Sequence, residues 1–233
     1  MIIPNEKIIF VHVPKTGGSS IEEFLLQKFE YKRNPLLLIH GYGVKPYHSS
    51  NSGITITPHM HYPLKDIVEE ATKNKIIIDN SWTIFSVVRN PYTKFISDLF
   101  FYNRCPLKYN YHQLPDVNKP HYIDYCIDYY WRNDPLDNYH SLHSYPQYKF
   151  FEGIDTPYKI FKFEDGIENA LNSVNLYNGE TIPHVLNLAN TFGIPKPKYE
   201  TLYTKKLVEC VNEKYQKDFE IFEYKMLDPL DFN

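Results

Sequence analysis

Ile8-Ile9-Phe10-Val11-His12-Val13-Pro14-Lys15-Thr16-Gly17-Gly18-Ser19-Ser20-Ile21-Glu22-Glu23-Phe24-Leu25-Leu26 is the stretch whose reading decides the fold. An apolar run rich in β-branched residues ends at Pro14, passes through small hydroxyl and glycine residues, and resumes with apolar positions at helical spacing. The pattern predicts a strand over Lys7 to Val13, a tight loop, and a helix from about Ser20 to Phe29.

Such a loop is built to hold an anion. Adjacent Gly17 and Gly18 let backbone approach a ligand, and the first turn of the following helix offers amide N–H groups without intrahelical partners at the positive end of its dipole. Thr16, Ser19 and Ser20 add hydroxyl donors and Lys15 adds a mobile cation, so phosphate or sulfate is the expected ligand. A plain βα turn whose small residues only satisfy a helix end is the competing reading. Lys15 precedes the glycines, whereas a nucleoside-triphosphate P-loop places its lysine after them. The Gly-x-Gly-x-x-Gly dinucleotide fingerprint is also absent.

A second element begins at Trp82. Thr83-Ile84-Phe85-Ser86-Val87-Val88 reads as a buried strand, followed by Arg89-Asn90-Pro91-Tyr92 and a helical pattern through Phe95, Ile96, Ser97, Asp98 and Leu99. Together the two elements resemble the cofactor-binding elements of sulfotransferases that use 3′-phosphoadenosine 5′-phosphosulfate (PAPS). The carbohydrate branch typified by the heparan sulfate 2-O-sulfotransferases is the most similar, its loop reading Pro-Lys-Thr-Gly followed by small hydroxyl residues. The resemblance implies that Lys15, Thr16, Gly17, Gly18, Ser19 and Ser20 hold the 5′-phosphosulfate, and that Arg89 and Ser97 hold the 3′-phosphate. Arginine suits that role because its planar fork grips phosphate through two hydrogen bonds and stays charged at any working pH.

Between these elements lies Ile54-Thr55-Ile56-Thr57-Pro58-His59-Met60-His61. Alternation over Ile54 to Thr57 predicts an extended segment ending in two histidines offset by two residues. No third metal ligand accompanies them in the sequence, so a zinc reading has little to stand on. The resembled family carries a His-x-His in the same order, the second histidine serving as base. His61 is therefore the implied catalytic base and His59 its helper or alternate. Neutral imidazole suits the task because an alcohol attacking sulfur must lose its proton near pH 7.

Length and composition bound the remainder. At 233 residues the chain is long enough for one α/β domain spanning 1–233. A net charge of -3 and a pI near 6.4 give no global basic field, which argues against nucleic acid as partner. Cys105, Cys126 and Cys210 are widely spaced, form no metal motif and suggest no disulfide framework, which fits a reducing compartment. No run of about 18 apolar residues suggests a membrane span. Animal relatives in the resembled family are Golgi proteins with an N-terminal anchor; this chain reads as cytoplasmic, or as Golgi-lumenal if an anchor has been trimmed from it.

Further along, a helix is expected from Pro63 or Leu64 to about Thr72, and another after Arg89 running to about Asn103. Leu36 to Ile39 is a short apolar run, and 41–53 reads as a loop. Residues 104–140, punctuated by prolines, carry helical character over His121 to Arg132 and are a candidate acceptor-binding lid. His143-Ser144-Tyr145-Pro146-Gln147 resembles a stretch of related carbohydrate sulfotransferases. Tyr158 to Phe163 reads as a strand, Ile167 to Val174 as a helix, and 175–198 as a loop with an apolar stretch at Val185 to Leu188. From Thr201 an amphipathic helix runs on to Tyr215, Asp218, Phe222 and Tyr224, which resemble the closing helix of the family, and the resemblance implies Tyr203, Thr204 and Lys205 as cofactor candidates.

The expected fold is α/β: one domain, a central mostly parallel sheet flanked by helices, P-loop-like as in sulfotransferases, with the cofactor at the C-terminal strand ends. The implied reaction is transfer of a sulfuryl group from PAPS to a hydroxyl of a carbohydrate acceptor, leaving 3′-phosphoadenosine 5′-phosphate (PAP), with Lys15 stabilising the charge on the leaving phosphate. The resemblance implies no metal. A kinase-like phosphotransferase would need a glycine-lysine order and an acidic magnesium ligand, and a non-catalytic anion- or glycan-binding module would need no base.

Overall fold

The apolar runs at Ile8 to Val11 and Thr83 to Val88 pair as parallel neighbours because each is apolar on both faces and can be buried on both. A computed structural model describes residues 1–30, 61–99, 122–128, 141–183 and 198–232. Within it a four-stranded sheet runs in the order β1 (Ile2–Ile3), β2 (Ile8–Val11), β3 (Thr83–Val88) and β4 (Lys159–Lys162). β1 is antiparallel to β2, while β2–β3 and β3–β4 are parallel, with Phe10 opposite Phe85 and Val87 opposite Phe161. The fold is α/β with a mostly parallel sheet, as the sequence predicts.

The contacts divide the chain into two compact units, Met1–Val88 with Gln147–His184, and Arg89–Pro146 with Val185–Asn233. In the first unit, α1 (Gly18–Lys28), α2 (Leu64–Lys73) and α6 (Ile167–Ser173) accompany the sheet. Ile21, Phe24 and Leu25 of α1 and Ala170 and Leu171 of α6 cluster with Ile8, Phe10, Phe85 and Val87, which share one sheet face by register. The opposite face, Ile9, Val11, Ile84 and Val88, is equally buried. β4 is less buried and carries Lys159 and Lys162, charges suited to the edge of a sheet.

In the second unit, α3 (Pro91–Leu99) presents Tyr92, Phe95, Ile96 and Leu99 at i, i+3, i+4 and i+7 to a core shared with a helix over 122–128 (α4) and with α7 (Lys205–Lys214) and α8 (Gln216–Ile221). α5 is one turn, Ser141–Ser144. Asn90 shapes the start of α3, its Oδ1 accepting from Tyr92 N at 3.0 Å ahead of Pro91 at the first helical position.

Several expectations are corrected. β1 is too short to carry a sequence signal, and α1 begins two residues before Ser20 because Gly17, at φ 84°, makes the turn. The long C-terminal helix is broken at Tyr215, between α7 and α8. Cys126 is disulfide-bonded and Cys210 is free, contrary to the expectation of no disulfide, so the reducing-compartment reading loses that support. Spacing along a chain does not report which cysteines meet in space. The third cysteine, Cys105, lies outside the described residues, as do the expected segments 36–39, 41–53, 54–57 and 185–188, His59, and most of 104–140.

Candidate active site

The loop expected to hold an anion leaves β2 at Val11 and enters α1 at Gly18. Lys15 holds φ 67°, a left-handed conformation uncommon outside glycine. Gly17 follows at φ 84°, and its carbonyl accepts from Ser20 N at 3.0 Å and Ile21 N at 3.4 Å, closing the first turn of the helix. Gly18 and Ser19 precede these bonds, so their amides belong to the donor-rich end of the helix. Lys15, Gly17, Ser19 and Ser20 are partly exposed. Thr16 is different: it is fully buried, and its hydroxyl donates to Val13 O at 2.8 Å. Its side-chain donor braces the loop instead of pointing outward.

Both glycines are sterically required. A Cβ on Gly18 would lie 2.1 Å from His12 Cδ2, and one on Gly17 would lie 2.8 Å from Ile167 Cδ1 besides forcing a side chain into left-handed backbone. The loop is thus packed from behind by His12 on one side and by the start of α6 on the other.

His61, far along the chain, comes to this same place. Its side chain is buried and its Nδ1 lies 2.9 Å from the carbonyl oxygen of His12. A carbonyl can only accept, so Nδ1 carries the hydrogen and Nε2 becomes the basic nitrogen of the neutral ring. The His12 and His61 rings meet edge to face at 4.5 Å between centroids. His12 Nδ1 in turn lies 3.1 Å from Glu22 Oε1, and both residues are buried. Sequence reasoning missed His12 and Glu22. The available signal was a histidine ending an apolar strand and a glutamate inside the apolar stripe Ile21, Phe24, Leu25.

The second unit opens with Arg89, the residue that follows β3. Its Nε donates to Thr93 Oγ1 at 3.1 Å, Thr93 Oγ1 donates to Asn90 O at 3.1 Å, and the guanidinium lies 5.4 Å from the centre of the Tyr199 ring. The side chain is thus braced at Nε and across one face of the guanidinium. Thr93 and Tyr199 were not among the sequence candidates. Ser97 lies on α3 and is largely buried.

Near it is a buried polar group. Asp98 Oδ1 and His143 Nδ1 are 2.7 Å apart, Lys94 Nζ donates to His143 O at 2.8 Å, and Tyr215 donates to Ser144 O at 3.1 Å. His143, the first residue of the His-x-x-Pro-Gln stretch, thus ties α5 to α3. The weak candidates Tyr203, Thr204 and Lys205 have structural partners. Tyr203 packs on Tyr92 and Phe232, Thr204 caps α7 and bonds Asp124, and Lys205 approaches Glu209 at 4.0 Å.

No group of three metal-ligating side chains occurs among the described residues, and no helix among them is long and apolar enough to cross a membrane. No curated protein and no solved structure matches the chain. The model of the sulfotransferase family matches residues 1–225, a span that takes in the loop over 15–20, His61 and Arg89, and the chain belongs to the sulfotransferase family.

Proposed function

We propose that the protein transfers a sulfuryl group from PAPS to a hydroxyl of a carbohydrate acceptor, in the manner of the heparan sulfate 2-O-sulfotransferases. The observation that supports the reading is the hydrogen bond from His61 Nδ1 to His12 O, which joins His61 to the residue flanking the loop although the two are remote in sequence. The residues present fit such a donor: Gly17 and Gly18 let the loop pack closely on Ile167 and His12, which holds it in one shape, and Arg89 is braced by Thr93.

PAPS, when bound, supplies the activated sulfuryl group and a leaving phosphate. Lys15, Gly17, Gly18, Ser19 and Ser20 hold the 5′ end through amide, hydroxyl and ammonium donors, and Thr16 keeps the loop in shape. Lys15 meets the negative charge that grows on the leaving oxygen, and fixed donors aimed at developing charge are usually the largest catalytic contribution. Arg89 and Ser97 bind the 3′-phosphate. His61 Nε2 takes the acceptor proton as its oxygen attacks, and His59 assists or substitutes for it.

Calorimetric titration with PAP, ATP and adenosine 5′-phosphate, in the absence of metal, tests the cofactor. Binding that requires the 3′-phosphate is the expected result, and equal affinity for the three would overturn it. Incubation with PAPS and desulfated glycans beside small alcohols then tests the acceptor, with transfer to the glycan expected.

A further inference from the structure

We propose that the buried Glu22–His12 pair is a positioning pair that sets His61 against the anion loop, His12 acting through His61 and Gly18 without touching the reacting groups. The proposal deepens the reading above and rests on it for the role of His61.

His12 stands where three parts of the site converge. It follows β2 directly and so forms the near flank of the loop, and its ring fills the space that any side chain at Gly18, the far flank, would need. Its carbonyl oxygen fixes the hydrogen on His61 Nδ1, and its ring is the surface against which the His61 ring stands at 79°. Displacing His12 would therefore disturb the width of the loop and the direction of the base together.

Glu22 holds His12 in that place. It lies four residues after Gly18, so both face the same side of α1, and the 3.1 Å contact from Nδ1 to Oε1 clamps the imidazole across the first turn of the helix. A fully buried carboxylate within the apolar stripe of α1 is an expensive choice, since well-packed apolar residues of similar volume commonly serve stability as well or better. What an apolar pair would not supply is direction. A carboxylate oxygen packed 3.1 Å from Nδ1 favours, by contact and charge, one setting of the His12 ring, and so one edge toward Gly18 and one face toward His61.

The experiment uses the full chain with its histidine ring nitrogens isotopically labelled. Nitrogen NMR reads the His61 tautomer and calorimetry reads PAP affinity, in the wild type and in His12→Ala, His12→Asn and Glu22→Gln. A structural role alone would not move the tautomer signal in folded protein. His12→Ala is expected to mix the His61 tautomers and weaken PAP about tenfold, through misplacement of the loop. His12→Asn, which keeps a polar group near the Nδ1 position against Glu22, should restore most of both. Folded His12→Ala protein with the wild-type signal and affinity would overturn the proposal. Should His12→Ala not fold, a wild-type His61 signal in Glu22→Gln would overturn it equally, and a mixed signal would support it. Wild-type protein that ignores PAP, but whose His61 signal responds to these substitutions, would overturn the cofactor reading and leave the positioning pair standing.

Discussion

His61 Nδ1 lies 2.9 Å from the carbonyl oxygen of His12, and the polarity of that bond assigns the ring hydrogen. With Nδ1 occupied as a donor, Nε2 is the nitrogen able to accept a proton from an acceptor alcohol. His61→Ala is therefore expected to lower sulfuryl transfer from PAPS by roughly 10²- to 10⁴-fold, the usual worth of a positioned general base, with PAP binding largely retained. Steady-state turnover and calorimetry on the same preparation check this. Turnover close to wild type would transfer the role to another group, His59 being the first to test.

Gly18 and His12 are in van der Waals conflict with any larger residue, since a Cβ at Gly18 would approach the His12 ring to 2.1 Å. Gly18→Ala should destabilise the protein by about 1–3 kcal/mol, the range for overpacking, measured by denaturant unfolding. The cause is specific to the ring, so the His12→Ala background should absorb much of the cost of Gly18→Ala. Strict additivity of the two substitutions would mean that the strain lies elsewhere. Gly17→Ala should remain costly in either background because its backbone sits at φ 84°.

Arg89 is tethered through Nε to Thr93 and by one face to Tyr199. Arg89→Ala should weaken PAP binding by about 2–5 kcal/mol, as for loss of one partner of a charge-assisted contact, while affinity for adenosine 5′-phosphate changes little. Thr93→Val, which removes only the tether, should cost about 0.5–1.5 kcal/mol. Equal losses for the two nucleotides after Arg89→Ala would sink the assignment to the 3′-phosphate.

The sheet was legible because β2 and β3 are continuous apolar runs ending in Pro14 and in Arg89-Asn90-Pro91, and buried parallel strands require such runs. The turn from β2 into α1 was legible for the same local reason, its residues being adjacent in sequence. What escaped depends on contacts between distant residues. His12 reads as one more strand residue and Glu22 as one more helix residue until the fold brings them 3.1 Å apart. Thr16 reads as a ligand donor because nothing local shows that Val13 O takes its hydroxyl. The Cys126 disulfide is a tertiary relationship of the same kind.

Tyr92 gives a test in alkaline solution. Its ring lies in the core of the second unit, its hydroxyl bonds Asn212 Oδ1, and Leu227 N donates to it at 2.8 Å. Burial raises the phenol above its ordinary value of 10, and the Leu227 N–H only partly offsets this by favouring the phenolate. A raised folded-state value means that folding favours the neutral phenol. The contribution is thus fully present below pH 10 and is lost as pH rises through the folded-state value. Tyr92→Phe removes that dependence and leaves Asn212 and Leu227 without this partner, at a cost of about 1–3 kcal/mol near neutrality. Wild type should accordingly be the more stable protein at neutral pH and show the steeper decline above pH 10. Parallel unfolding free energies for the two proteins across the alkaline range would show that the Tyr92 hydroxyl is not protected by the fold.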